Sequence, residues 1–170
     1  PDASPERPEL ERQLRTPSPD RIFAVRTAMV AGYSDADIHR ISSIDPWFLA
    51  KLRRILEAET HLLRCRSLAE LQAEALLELK QLGFSDRQIA WATGSRELEV
   101  RDHRQALGVS AVFKPVDSCA AEFASSTPYH YSTYERPLER LRDDGSLERI
   151  PPENEVQPET RRKVMILGGG

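Results

Sequence analysis

Glycine is spaced like punctuation through the middle of this chain, and proline is nearly excluded from it. No proline stands between Pro46 and Pro115, and between residues 20 and 110 the glycines are Gly32, Gly83, Gly94 and Gly108. Each follows a stretch in which apolar residues recur at helical spacing. The backbone after a helix commonly turns left-handed, which favours a residue without Cβ. The pattern therefore predicts short helices joined by tight turns.

The starts are marked as well as the ends. Ser18 before Pro19 reads as an N-cap and first helical residue, opening a helix with Ile22, Val25 and Met29. Ser34 with Asp37 opens a short helix carrying Ile38 and Ile41. Asp45 before Pro46 opens the longest, with Phe48, Leu49, Leu52, Ile55, Leu56 and Leu63 on one broad face. Ser67 with Glu70 reads as a capping box for a helix carrying Leu68, Leu71, Ala75, Leu79 and Leu82. Ser85 with Gln88 opens another short helix, and Ser95 caps one carrying Leu98, Val100 and Leu107. The fold class is mainly α: about six short helices over residues 18–108, packed as sequential neighbours because their turns are short.

The character changes after Gly108. SAVFKPVDSCAAEFASSTPYHYSTYE brings β-branched and aromatic residues, read as extended chain with one short helix near 119–124. Residues 136–162 hold Pro137, Pro151, Pro152 and Pro158 among many charges, a solvated linker with a hairpin at DDGS. The sequence then closes on VMILGGG, an apolar run of strand type followed by Gly168, Gly169 and Gly170. Glycines after a strand permit a close backbone approach to phosphate, but a phosphate site also needs a following helix N-terminus. A chain that starts without Met and stops on three glycines reads as cut at both ends.

Charge and cysteine usage narrow the function classes. The 24 basic and 27 acidic residues are intermixed and give a net charge of −3, no footprint for nucleic acid or an anionic membrane. Cys65 and Cys119 cannot form a disulfide framework, and no apolar run has the length of a membrane span. The proline-rich, charged start lacks the apolar core of a signal peptide.

Several constellations could carry chemistry or binding. Residues 85–108 suit a helix-turn-helix around Gly94, with Ile89, Ala90 and Val100 placed as such a pair requires, although His103 takes a normally apolar position. The four arginines of that stretch are matched by four acidic residues, so it offers phosphate no net positive charge. Two packed helices explain the same residues. His61 and Cys65 share a helical face but lack further metal ligands at suitable spacing. Cys119, His130 and Asp117 could be named a nucleophile, base and acid, yet nothing in the sequence brings them together. Phe113, Phe123, Tyr129, Tyr131 and Tyr134 concentrate aromatics in one segment. That segment suits a stacking platform or, with so few basic neighbours, docking against protein.

Three stretches carry a family resemblance. TPSPDRIFAVRTAMVAGYSDADIHRISSIDPWFLAKL, GFSDRQIAWATGSRELEVRDHRQALGVSAVFKPVDSCAAEFASSTPYHYSTYE and KVMILGGG together resemble the central region of the carbamoyl-phosphate synthetase large subunit. IDPWFL and DSCAAEF with YSTYE are the specific parts. The resemblance implies an ATP-dependent ligase of two ATP-grasp synthetase halves in tandem, joined by a helical oligomerization domain. It divides the chain into residues 1–15, the tail of the first half; 16–135, the helical oligomerization and connecting domain; 136–162, a linker; and 163–170, the first strand and glycine turn of the second half.

By the same resemblance the parent forms carbamoyl phosphate from bicarbonate and glutamine-derived ammonia, for pyrimidine and arginine synthesis in the cytoplasm. It uses ATP with Mg or Mn, with K as a further cation, and works with a glutamine amidotransferase small subunit. No catalytic, cofactor or metal residue is expected within this segment, and neither nucleic acid nor membrane as a partner. The expected contacts are with the two synthetase halves and between large chains. Trp47, Phe48, Leu52 and Trp91 are the candidates for packing or self-association, and Asp117, Cys119, Phe123, Tyr129, Tyr131 and Tyr134 for docking.

Overall fold

The computed structural model describes residues 7–120, 122–123, 129–156, 160–162 and 164. Its elements are α1 (Arg7–Arg15), α2 (Arg21–Val30), α3 (Asp35–Ser42), α4 (Pro46–Leu62), a 3-10 turn (Leu68–Glu70), α5 (Ala73–Gln81), α6 (Asp86–Thr93), α7 (Glu97–Ala106), β1 (Val112–Pro115), β2 (His130–Thr133), β3 (Leu138–Leu141) and β4 (Leu147–Ile150). The fold is mainly α. The chain divides into two units, Pro1–Glu70 with Arg87–Glu97, and Leu71–Asp86 with Leu98–Gly170.

The first unit is built on α1 to α4. The Ser34 hydroxyl accepts from the Asp37 amide at 3.1 Å, and the Asp37 carboxylate accepts in return from the Ser34 amide. This is the reciprocal capping box that its spacing predicts. Asp45 accepts from the Trp47 amide at 2.8 Å, with Pro46 at the first helical position where no amide is needed. Leu10, Leu14, Val25, Ala28, Met29, Ile38, Ile41 and Leu49 form the core, with Leu52 and Leu56 packed against it.

Two starts differ from the sequence reading. Asp20, not Ser18, precedes α2, and no side chain caps it. The Ser18 carbonyl instead accepts from the Arg21 amide, making a turn of Pro19 and Asp20. The Ser67 box does not open a long helix: Leu68–Glu70 is a single 3-10 turn, and α5 begins at Ala73 after Gln72. Residues 1–15, read as a tail, include α1, whose Leu10 and Leu14 enter the core. Pro8 is tolerated there because the first turn of a helix has no amide bonds to lose.

The second unit combines α5, the greater part of α7 and two antiparallel hairpins. β1 pairs with β2, placing Val112 opposite Thr133 and Lys114 opposite Tyr131. β3 pairs with β4, Leu138 opposite Ile150 and Leu141 opposite Leu147. The latter closes at DDGS as predicted: Gly145 takes φ +81°, and Asp144 accepts from both the amide and the hydroxyl of Ser146. The pairing of β1 with β2 goes beyond the extended chain that the sequence suggested there, beside the DDGS hairpin and one terminal strand. That strand, with Gly168 to Gly170, lies outside the described residues apart from Val164. The short helix expected near 119–124 falls partly outside them too; the described part is a turn in which the Glu122 amide donates to the Cys119 carbonyl at 3.0 Å.

Candidate interaction surface

Helices α2 and α4 carry more apolar residues than one buried face can use. On α2, Ala24, Val25, Ala28 and Met29 are buried, while Ile22 and Phe23 are exposed. On α4, Leu49 is fully buried, while Trp47, Phe48 and Ile55 are exposed. The surplus lines two recesses that share Ile22 and Leu52. One, of about 350 Å³, is closed by Phe23, Arg26, Met29, Ile55, Leu56 and Glu59. The other, of about 320 Å³, is closed by Arg21, Val25, Ile44, Phe48 and Lys51. Contiguous exposed apolar surface of this kind marks an interaction site more often than chance exposure does.

Polar contacts hold the walls of this surface in place. Arg21 donates to the Leu14 carbonyl at 2.8 Å and to the Ser42 carbonyl, joining α1, α2 and the end of α3. Arg53 of α4 donates to Asp35 at 2.7 Å and to the Tyr33 carbonyl at 3.0 Å. Arg26 and Glu59 pair across the groove at 2.8 Å. Trp47 meets Phe48 edge to face at 4.9 Å, and the Lys51 ammonium lies over the Trp47 ring.

Of the residues the sequence singled out, Trp47, Phe48 and Leu52 come together here. Trp91 is on α6 and is 78% exposed. Asp117 accepts from the Cys119 amide at 2.9 Å, and Phe123, Tyr129 and Tyr131 are exposed. Tyr134 is partly buried, with the charged ends of Lys80 and Arg104 over its ring. Both cations also bind Asp86, Lys80 at 2.9 Å and Arg104 at 3.0 Å. Burial alone would raise the Asp86 pKa, but the hydrogen bonds from Lys80 and Arg104 outweigh it and hold the carboxyl below its ordinary value.

The sequence reading missed Phe23, Arg26 and Glu59, and it placed Ile22 and Ile55 among the apolar residues of their helices without marking them as exposed. The available signal was the excess breadth of the apolar stripe on α4, which exceeds what a helix packed on one side requires. Among the described residues, no three of His, Cys, Asp or Glu are grouped to hold a metal ion. No described helix is long and apolar enough to cross a membrane.

Residues 1–108, which include this surface, match the profile of the carbamoyl-phosphate synthetase large chain, oligomerisation domain. The chain belongs to this family. It is 49% identical over 162 residues to the carbamoyl phosphate synthase large chain of Nostoc sp., covering 95% of this chain and 13% of that one. The Synechocystis large chain is 47% identical over 161 residues, with the same coverage. The arginine-specific chloroplastic large chain of Arabidopsis thaliana is 42% identical over 162 residues, covering 95% of this chain and 12% of that one. The chain thus spans about an eighth of the length of these relatives.

Membership in the oligomerisation-domain family gives the helix-turn-helix reading of residues 85–108 no support. Arg104, one of the four arginines of that stretch, is committed to Asp86.

Proposed function

We propose that this chain is the non-catalytic connecting and self-association module of an ATP-dependent ligase that makes carbamoyl phosphate from bicarbonate and glutamine-derived ammonia. The observation that carries the self-association reading is the exposed apolar surface of α2 and α4, which falls within the span matched by an oligomerisation-domain profile. Trp47, Phe48, Leu52 and Trp91 are the residues offered for contact between copies. Asp117, Cys119, Phe123, Tyr129, Tyr131 and Tyr134 are offered for docking on the two synthetase halves.

The parent's ATP, its Mg or Mn and its K belong to those halves in this reading, as does the glutamine amidotransferase partner. Its place is the soluble phase of the cytoplasm, with relatives named as chloroplastic showing that related chains also serve in an organelle. Light scattering on this chain at rising concentration tests the self-association. The mean mass is expected to climb above that of one 19.3 kDa chain. A mass fixed at one chain throughout would confine the module to a spacer role.

A further inference from the structure

We propose that the cavity between α5, the end of α7 and the β3–β4 hairpin is a binding site for a small carboxylate with an apolar body, held by Arg149. This site does not depend on self-association.

The cavity lies wholly within the second unit and has a volume of about 250 Å³. That is near the small end of the range for ligand pockets, the size for a small metabolite and not for a protein segment. Its apolar wall is drawn from several elements: Leu77 of α5, Leu107 and Val109 at the end of α7, Val112 of β1, and Pro137 and Pro152 at the two feet of the hairpin. Val109 and Val112 are buried, and Leu77, Pro137 and Pro152 are half-buried. A ring or a short alkyl chain would cover this wall. Glu74, Glu135, Arg149 and Ser110 add the polar groups.

Those polar groups decide the sign of the ligand. Both carboxylates are already matched within the chain: Arg136 reaches Glu74 at 3.4 Å, and Lys114 reaches Glu135 at 3.4 Å. Arg149 differs. Glu139 stands opposite it in the hairpin, yet the Arg149 guanidinium has no ion-pair or hydrogen-bond partner among the described residues. The Ser110 hydroxyl is likewise unpartnered among them. The groups with capacity left are therefore a planar fork of donors and a hydroxyl that can donate. A carboxylate matches that fork in both charge and geometry. A bare inorganic anion would leave the apolar wall uncovered. A cation would have to compete with Arg136 and Lys114 for the two glutamates and would face Arg149.

Titration of the whole chain with benzoate, benzamide and benzylamine, followed by amide shifts in NMR spectra, tests this. The three probes share one ring and differ in charge. Benzoate is expected to shift the amides of Leu77, Val109, Ser110 and Val112, and to bind at least ~10-fold more tightly than benzylamine, the scale of one charge-assisted hydrogen bond. In Arg149→Gln the dissociation constant of benzoate should rise about tenfold while that of benzamide changes less than about twofold. Benzylamine binding as tightly as benzoate would assign the cavity to its two glutamates and overturn the proposal. Benzoate that leaves those amides unshifted up to ~20 mM would overturn it too, since even a weak fragment site fills in that range. An Arg149→Gln chain that binds benzoate as the wild type does would remove Arg149 from the site.

A second measurement needs no variant. A ligand in this cavity touches α5 and both feet of the hairpin at once. Saturating benzoate is therefore expected to slow amide hydrogen exchange in β3 and β4 at least ~3-fold, as binding to the closed form alone does. Exchange in the hairpin that stays unchanged under saturating benzoate would place the probe elsewhere and overturn the proposal.

Discussion

The Arg104 side chain reaches both oxygens of the Asp86 carboxylate from one nitrogen, Nε, at 3.1 and 3.0 Å. Lys80 approaches the same group from α5, and Tyr134 lies under both cations. One carboxylate thus ties Lys80 of α5 to Arg104 of α7, and the two cations it holds lie over Tyr134.

Replacing Asp86 with Asn should therefore destabilise the second unit by about 3 kcal/mol near neutral pH, because two largely buried cations lose their counter-charge. The folded pKa of Asp86 lies below its unfolded value. Its contribution is present in full above the unfolded value of about 4 and is lost as pH falls through the folded one. Urea unfolding of wild type and Asp86→Asn as a function of pH checks the sign: the gap between them should narrow on acidification.

Leu14 is fully buried in the core although it lies in the stretch read as a tail. Leu14→Ala should cost about 3 kcal/mol in denaturant unfolding, as for a core leucine whose cavity cannot collapse. A loss below about 0.5 kcal/mol would mean that α1 is dispensable to the first unit.

Local chemistry made most of the helix boundaries legible. Gly32, Gly83, Gly94 and Gly108 all take positive φ at helix ends, and the Ser34–Asp37 and Asp45–Pro46 starts form as their spacing predicts. The misreadings arose where tertiary contacts compete. A helix running on from Ser67 would use the Leu71 carbonyl for the Ala75 amide. That carbonyl instead accepts from His103 Nε2 at 2.9 Å, and the helix starts beyond it. The same contact accounts for His103 at a position where an apolar residue was expected. The interaction surface was half legible for a related reason. Periodicity identifies apolar residues on a helix, but only the packing of neighbours decides that Val25 is covered and Phe23 is not.

Gly94 has φ +65°, and a Cβ added there would meet nothing within 4 Å. The cost of a side chain is then the left-handed backbone alone. Gly94→Ala should lose about 1 kcal/mol and Gly94→Asn less, since Asn tolerates that conformation better. Paired thermal melts of the two variants check the order. Equal losses would mean that the turn changes conformation when substituted.

Association through the groove should resist salt. Its contacts are apolar, and the cations near the recesses, Arg21 and Lys51, would repel their counterparts in a facing copy. Screening shortens from a Debye length of about 10 Å at 0.1 M to about 3 Å at 1 M. It should relieve that repulsion and leave the apolar contact made by α2 and α4 intact. The dissociation constant measured by sedimentation is therefore expected to hold or fall as NaCl rises across that range. A steep rise would assign the contact to ion pairs between copies, with Arg26 and Glu59 as the first residues to test by charge reversal.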